Sequence, residues 1–289
     1  MKKLRLYPFL HTINSVQKIN ATTISERLSR KPHQLFKPHQ TDFYMIYLFT
    51  KGYGIHYVDF NEIIVQPGNI LFMSKGQVHH FDPKETYDGV TIVFTEDFFY
   101  RTELHRYFLH HTPLFNDPLR LSYFSAGDFY TQIKTLYHLI EKELKNPADK
   151  WQGELLHNYL YSIMLIGERL FKPEEKKFQP TPPQLLISDF KQLTNKHLHK
   201  QWTIAQYSAI LNISPRTLQN AFAQYERTSP KAWLNERLVL EVKRKLSFES
   251  IPINEIAFQL GFKELSNFTN FFKTHTDLTP LEFRQLQYK

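Results

Sequence analysis

The sequence predicts a two-domain α+β protein: an antiparallel β barrel or sandwich with a helical hairpin, then an all-helical domain. Three observations carry this. The hydrophobic period changes from two residues to helical spacing after residue 94, a proline-rich charged stretch occupies 172–184, and a segment recurs at a period of about 50 residues in the last third. With 289 residues the chain is long enough for two ordinary domains, and 42% hydrophobic with 15% aromatic residues is a core-forming composition.

Residues 42–94 carry the β pattern. The runs DFYMIYLFT, IHYVDF, EIIV, NILFM, VHHF and VTIVFT alternate with the turn signals Lys51-Gly52, Gly54, Pro67-Gly68, Lys75-Gly76, Asp82-Pro83 and Asp88-Gly89. Short strands at such spacing form sandwiches or barrels. In the first run Tyr44, Ile46 and Leu48 share one face, and Phe43, Met45, Tyr47 and Phe49 the other. Both faces are apolar, so this strand is expected to be covered on both sides.

Next comes a helical hairpin. Phe129, Ile133, Leu136, Tyr137, Ile140 and Leu144 recur at helical spacing, as do Trp151, Leu155, Tyr159, Ile163, Ile166 and Leu170, with Asn146-Pro147 between the two sets. The hairpin carries more apolar surface than one small barrel is expected to cover, which makes 129–171 the expected dimerisation element. KPEEKKFQPTPPQ, with four prolines and a charge cluster, reads as the linker. The expected division is therefore 1–171, a linker at 172–184, and 185–289.

The repeat is the most informative feature. WTIAQYSAILNISPRTLQNAFAQYERTSPKAW aligns with PINEIAFQLGFKELSNFTNFFKTHTDLTPLEF. Ile204 matches Ile253, Ser208 matches Ala257, Leu211 matches Leu260 and Asn212 matches Gly261; after one inserted residue, Leu218 matches Phe268, Phe222 matches Phe272, and Ser229-Pro230 matches Thr279-Pro280. Each copy has helix-turn-helix grammar. A small residue stands where helices cross, Asn or Gly stands where the turn needs left-handed backbone, and Ser214-Pro215 supplies a cap and a first-turn proline. Such a motif places its second helix in the major groove of DNA. In the first copy Leu218, Ala221 and Phe222 point inward, leaving Arg216, Thr217, Gln219, Asn220 and Ala223 outward. In the second, Leu265, Phe268, Phe271 and Phe272 point inward, leaving Ser266, Asn267, Thr269, Asn270 and Lys273 outward. Arg pairs with guanine and Asn or Gln with adenine, so the first helix is the better equipped reader. Lys273 is the expected phosphate contact. The formal charge of +8, of which residues 181–289 carry +5, permits nucleic-acid binding without identifying it.

These residues resemble the AraC-type transcription regulators. INEIAFQLGFKELSNFTNFFKTHTDLTPLEFR is similar to that family's signature, and the resemblance extends over about 105 residues, with a joining helix through 235–246. Where the family has glycine after the recognition helix, this chain has Arg227 and Asp277, and Ser208 stands for the usual alanine. The segments DFYMIYLFTKGYGIHYVDF, EIIVQPGNILFMSKGQVHHF and VTIVFTEDFF resemble the family's cupin-like sensor domain. The resemblance implies a jelly-roll barrel that senses a small-molecule effector or dimerises, double-stranded promoter or operator DNA as partner, and a bacterial-type, cytoplasmic regulator of transcription. Tyr44, Tyr53 and Tyr57 would suit a sugar.

An enzyme is the alternative, as a cupin-type metalloenzyme fused to a DNA-binding domain. The absence of cysteine removes thiol nucleophiles, disulfides and Cys-ligated zinc. No G-x-S-x-G, P-loop or G-x-G-x-x-G occurs. His33, His39, His56, His79 and His80 lie in or beside the strands without a His-x-His pair, and adjacent His79 and His80 point to opposite faces of a strand. No catalytic residue, metal or cofactor is expected. His39, Tyr44, His56, His79 and His80 are the expected ligand-lining residues. No run of about 18 apolar residues occurs and the N-terminus has no apolar signal core, so no membrane partner is expected.

Overall fold

The computed structural model describes residues 4–9, 18–30, 32–84, 86–171 and 181–287. The chain forms two compact units, Arg5–Lys176 and a second built on Lys177–Lys289.

The first unit has ten strands: β1 (Arg5–Tyr7), β2 (Ile19–Thr23), β3 (His39–Thr41), β4 (Tyr44–Lys51), β5 (Gly54–Val58), β6 (Asn61–Val65), β7 (Asn69–Met73), β8 (His79–Phe81), β9 (Asp88–Phe94) and β10 (Ser122–Ser125). They pair as two five-stranded sheets, in the orders β1-β3-β8-β5-β6 and β10-β7-β4-β9-β2. All pairings are antiparallel except β1 with β3. The six runs expected between 42 and 94 are β4 to β9. Of these only β5 and β6 are neighbours both in sequence and in a sheet; the other successive strands divide between the two sheets or are not paired. The strands β1, β2, β3 and β10 were not read from the sequence; β1, β3 and β10 have only three or four residues.

The central strand β4 is buried on both sides, as its pattern requires. Met45, Tyr47 and Phe49 pack inside the barrel with Val58, Ile63, Val65 and Phe81. Tyr44, Ile46 and Leu48 face outward, into a second core with the helices. Helices α1 (Ile24–Arg30) and α2 (Pro32–Leu35) follow β2, and α3 (Glu96–Phe99), α4 (Glu103–His111) and α5 (Pro113–Asn116) fill the connection from β9 to β10. The hairpin is α6 (Tyr130–Lys145) and α7 (Gln152–Phe171). Its apolar stripe is not surplus. Ile133, Tyr137, Ile140, Leu144, Leu156, Leu160, Ile163 and Met164 are all buried in the core they share with the outer face of the β4 sheet. The approach is close at Gly167, where a Cβ would stand 2.5 Å from the Phe72 ring. In α7 the buried stripe runs through Leu156, Leu160, Ile163, Met164 and Ile166 rather than through the expected Trp151, Leu155 and Tyr159; Trp151 and Leu155 stay exposed, with Leu139 and Leu165. The expected excess was an overestimate because the sheet offers an apolar outer face as well as an inner one.

The second unit contains α8 (Pro182–His197), α9 (Ile204–Ile210), α10 (Pro215–Tyr225), α11 (Pro230–Phe248), α12 (Ile253–Gln259), α13 (Leu265–Thr276) and α14 (Pro280–Gln287). Residues 172–180 of the expected linker lie outside the described residues, but 182–184 are helix. Thr181 and Gln184 form a capping box, and Pro182-Pro183 occupy the first turn, where a missing N–H costs nothing. Two of the four prolines that read as linker, Pro182 and Pro183, are thus a helix start. Phe190 of α8 is fully buried and meets Tyr207, Phe222 and Trp233 edge-on at 5.4, 5.5 and 5.8 Å, which joins α8, α9, α10 and α11. The joining helix α11 extends beyond the expected 235–246 at both ends, from the Ser229 cap, which accepts from the Ala232 N–H, to Phe248.

Candidate nucleic-acid interface and barrel interior

The two repeat copies build the same turn from different residues. In the first, Leu211, Asn212 and Ile213 donate their N–H groups to the carbonyls of Tyr207, Ala209 and Ser208, at 3.1, 3.1 and 3.0 Å. In the second, Leu260, Gly261 and Phe262 donate to Ile256, Phe258 and Ala257, at 3.1, 3.0 and 3.0 Å. Asn212 and Gly261 both adopt left-handed backbone, with φ of 56° and 85°. Glycine is obligatory in the second copy, because a Cβ there would lie 2.1 Å from the His199 carbonyl oxygen. Ser208 and Ala257, at the crossings, are fully buried.

Each turn delivers a helix with an apolar inner stripe and a polar outer face. In α10, Ser214 caps the Thr217 N–H at 3.1 Å, and its hydroxyl also meets the Thr217 hydroxyl at 2.8 Å. Leu218, Ala221 and Phe222 are buried, while Arg216, Thr217, Gln219 and Asn220 are exposed. In α13, Phe268 and Phe272 are buried and Phe271 is half-buried. Leu265, expected to point inward, is 44% exposed, since it is the first residue of its helix and has no preceding turn to cover. Ser266, Asn267, Asn270 and Lys273 are exposed and Thr269 is half-buried. The positions where glycine was expected end the two helices differently. Asp277 takes left-handed backbone at φ 60°, whereas α10 ends on extended Glu226, with no left-handed residue at Arg227.

Two features of this unit were not read from the sequence. Lys191 of α8 and Glu226 at the end of α10 form an ion pair at 2.7 Å with both side chains under a tenth exposed, and the Lys191 ammonium lies 5.5 Å from the centre of the Trp233 ring. Beside α10, Gln219, Ala223, Arg227 and the Ser229–Lys231 start of α11 border an open depression of about 550 Å³. Arg227 and Lys231 thereby stand next to the polar face of α10. The sequence signal was a pair of basic residues flanking the Ser229-Pro230 cap.

In the β unit, the strands sort the expected ligand residues by alternation. His39, His56 and His79, from β3, β5 and β8, are buried within the barrel, with ring centres 4.2 Å apart for His39 and His79 and 5.6 Å for His56 and His79. His39 Nδ1 donates to the Lys37 carbonyl at 2.9 Å, and His56 Nδ1 meets the Tyr87 hydroxyl at 2.9 Å. His39 Nε2, His56 Nε2 and both nitrogens of His79 are buried with no hydrogen-bond partner among the described residues. Burial lowers His39 to about 4 and His56 to about 3, and holds His79 well below its ordinary value. All three rings are therefore neutral at pH 7.

The remaining expected ligand residues lie elsewhere. Tyr44 packs outside the barrel on Phe94 and Phe115 and donates to Glu96 at 3.1 Å. His80 stacks on Tyr57 at 4.5 Å on the outward side of β8 and β5, and Tyr53 is 70% exposed. The aromatic trio expected to suit a sugar thus lines no common site: alternation turns Tyr44 and Tyr57 out of the barrel, and Tyr53 lies in the turn between β4 and β5. The side chain of His33 lies outside the described residues. Among the described residues, no group of three or more His, Cys, Asp or Glu has the geometry to hold a metal ion, and no helix is long and apolar enough to cross a membrane.

Two domain families match the chain. Residues 207–286 match the helix-turn-helix domain, and residues 25–125 match the AraC-like ligand binding domain. Among curated relatives, the HTH-type transcriptional regulator ExsA of Pseudomonas aeruginosa is 29% identical over 119 residues, 37% of this chain and 42% of that protein, so the match spans less than half of it. The arabinose operon regulatory protein of Escherichia coli is 23% identical over 249 residues, 83% of this chain and 80% of that protein. The HTH-type transcriptional activator RhaS of Yersinia pestis is 22% identical over 281 residues, 95% of this chain and 98% of that protein.

Proposed function

The chain belongs to the AraC-type regulators, DNA-binding transcription factors with an N-terminal ligand-binding domain, and from that premise we propose how its own residues divide the work. The unit from Thr181 onward binds double-stranded DNA with α10 and α13 as its two recognition helices. One observation carries this reading: two copies of one backbone turn each present a helix whose inner stripe is buried and whose outer face is polar. In α10, Arg216, Gln219 and Asn220 read base edges, Arg216 by the bidentate geometry that suits guanine. Thr217 is tied to the Ser214 cap, so its role is to fix the start of the helix against the backbone. In α13, Ser266, Asn267, Thr269 and Asn270 supply weaker readout and Lys273 a phosphate contact. The barrel receives a small-molecule effector at His39, His56 and His79, and the protein acts as a regulator rather than an enzyme, in the compartment that holds its DNA.

Binding-site selection with the full chain and with Arg216→Ala tests the assignment. The variant is expected to lose discrimination at one base pair, by about 1–3 kcal/mol, while keeping the rest of the site. A uniform loss across all sequences would instead make Arg216 a phosphate contact.

A further inference from the structure

The connection from α8 to α9 touches both helix-turn-helix motifs. It is a single 3₁₀ turn, Leu198–Lys200, closed by Gln201 in left-handed backbone at φ 52°. Towards the first motif, the His197 and Trp202 rings lie 4.8 Å apart, and Trp202 meets the buried Tyr207 of α9 edge-on at 5.4 Å. Towards the second, the Gln201 side-chain amide donates to the Leu260 carbonyl at 2.7 Å, across 59 residues of chain. Leu260 opens the turn that delivers α13. The approach there is close, since a Cβ at position 261 would stand 2.1 Å from the His199 carbonyl oxygen and 3.0 Å from Gln201 Cγ.

This docking distinguishes the two copies of the repeat. The position matching Gly261 is Asn212, which is also left-handed but carries an exposed side chain. Backbone conformation alone therefore does not demand glycine; the segment seated on the second turn does. Gln201 itself holds a conformation that is costly for a residue with a Cβ, and from there its amide reaches the other motif. Helix α11 also joins the motifs, through its two ends. Two bodies linked through one helix keep a pivot, and a second attachment away from that helix removes it. The pivot matters on DNA. With about 10–10.5 base pairs per turn, one base pair added between two half-sites moves the second by about 3.4 Å and rotates it by about 35°. A reader with a fixed angle between its helices cannot follow that change, whereas a hinged one can.

We propose that Gln201 is a positioning residue for DNA recognition: by clamping the 198–201 turn onto the Leu260–Gly261 turn, it sets the separation and rotation of α10 and α13, and so the half-site spacing the protein accepts. This rests on the reading of both helices as recognition helices. The test uses the full chain and the two-part duplex it selects from a random pool, together with versions carrying one base pair more or less between the parts. Two variants remove the amide. Gln201→Met keeps the bulk of the side chain, and Gln201→Gly suits the left-handed backbone, so failure of one to fold leaves the other to be read. The native chain is expected to bind the altered spacings on the order of ten-fold more weakly than the selected one, because only one helix can then engage fully. Each variant is expected to cut that penalty at least about three-fold, while keeping the native base preferences within each part. An equal spacing penalty in native and variant chains overturns the proposal, as does a native chain indifferent to spacing. A loss that is uniform over all spacings makes Gln201 merely structural and also overturns it. A selection that returns no two-part site defeats instead the reading of α10 and α13 as paired recognition helices, and this proposal with it.

Discussion

Gly261 and Asp277 both hold left-handed backbone, φ 85° and 60°, but only one of them has no alternative. A side chain at 261 would strike the His199 carbonyl as well as pay the strain of positive φ. Gly261→Ala is therefore expected to destabilise the C-terminal unit by about 2 kcal/mol or more, read as a lower urea midpoint for that unit's transition. An unchanged midpoint would show that the His199 turn moves aside freely. Asp277 meets no such wall, and short polar residues tolerate this conformation, so the helix ends correctly without the family's glycine. The left-handed turn was legible at Asn212 and Gly261 from residue type. The clash at Gly261 was not, because its partner comes from a separate turn of the chain.

At the scale of elements, the proposed recognition helix α10 is held at its two ends by different means. Ser214 fixes the start by capping, and the buried Lys191–Glu226 pair ties the end to α8. Lys191→Met removes the cation paired with a side chain under a tenth exposed and is expected to destabilise the C-terminal unit, whereas adding Glu226→Leu should recover most of the loss. Unfolding of the single and double variants forms a cycle, and strict additivity in it would show the pair contributes no coupling. The hairpin gives the second lesson. Its two helices were readable from apolar period alone, but the partner of that stripe was not, since the outer face of β4 is equally apolar. The exposed remainder, Leu139, Trp151, Leu155 and Leu165, is our proposed homodimer contact. Sedimentation of the full chain should show self-association that Trp151→Glu with Leu155→Glu weakens. A native chain that stays monomeric at every concentration would rule this out.

For the whole molecule, buried neutral histidines make one unit acid-sensitive. His39 and His157 are lowered to about 4 and His56 to about 3, each chiefly by burial, against an ordinary value of 6.5 that each regains on unfolding. The unfolded chain therefore binds more protons below about 6.5. Stability is at its full value above that pH and falls as pH drops toward the folded values. Around the barrel rings stand His79, His80, Arg27, Tyr47 and Tyr87, and His105 lies against His157; Arg27 adds to the penalty on charging the three barrel rings. No histidine of the C-terminal unit is buried among the described residues. Scanning calorimetry between pH 7.5 and about 4.5 should show the N-terminal transition moving down more steeply than the C-terminal one. Parallel behaviour of the two would contradict this.

The sequence alone determined the two-domain α+β class, the helix-turn-helix repeat, the polar faces of α10 and α13, and the family. Each of these is local: a period, a cap, or a turn residue encodes it within a few neighbours. Only the tertiary structure decided which strands share a sheet, where the hairpin hides its apolar stripe, and that 182–184 begin a helix. It alone brought His39, His56 and His79 from three strands together inside the barrel, and sent Tyr44, Tyr57 and His80 outside. Those outcomes depend on pairing between segments far apart in the chain, where one residue of register exchanges the inside of a barrel for the outside.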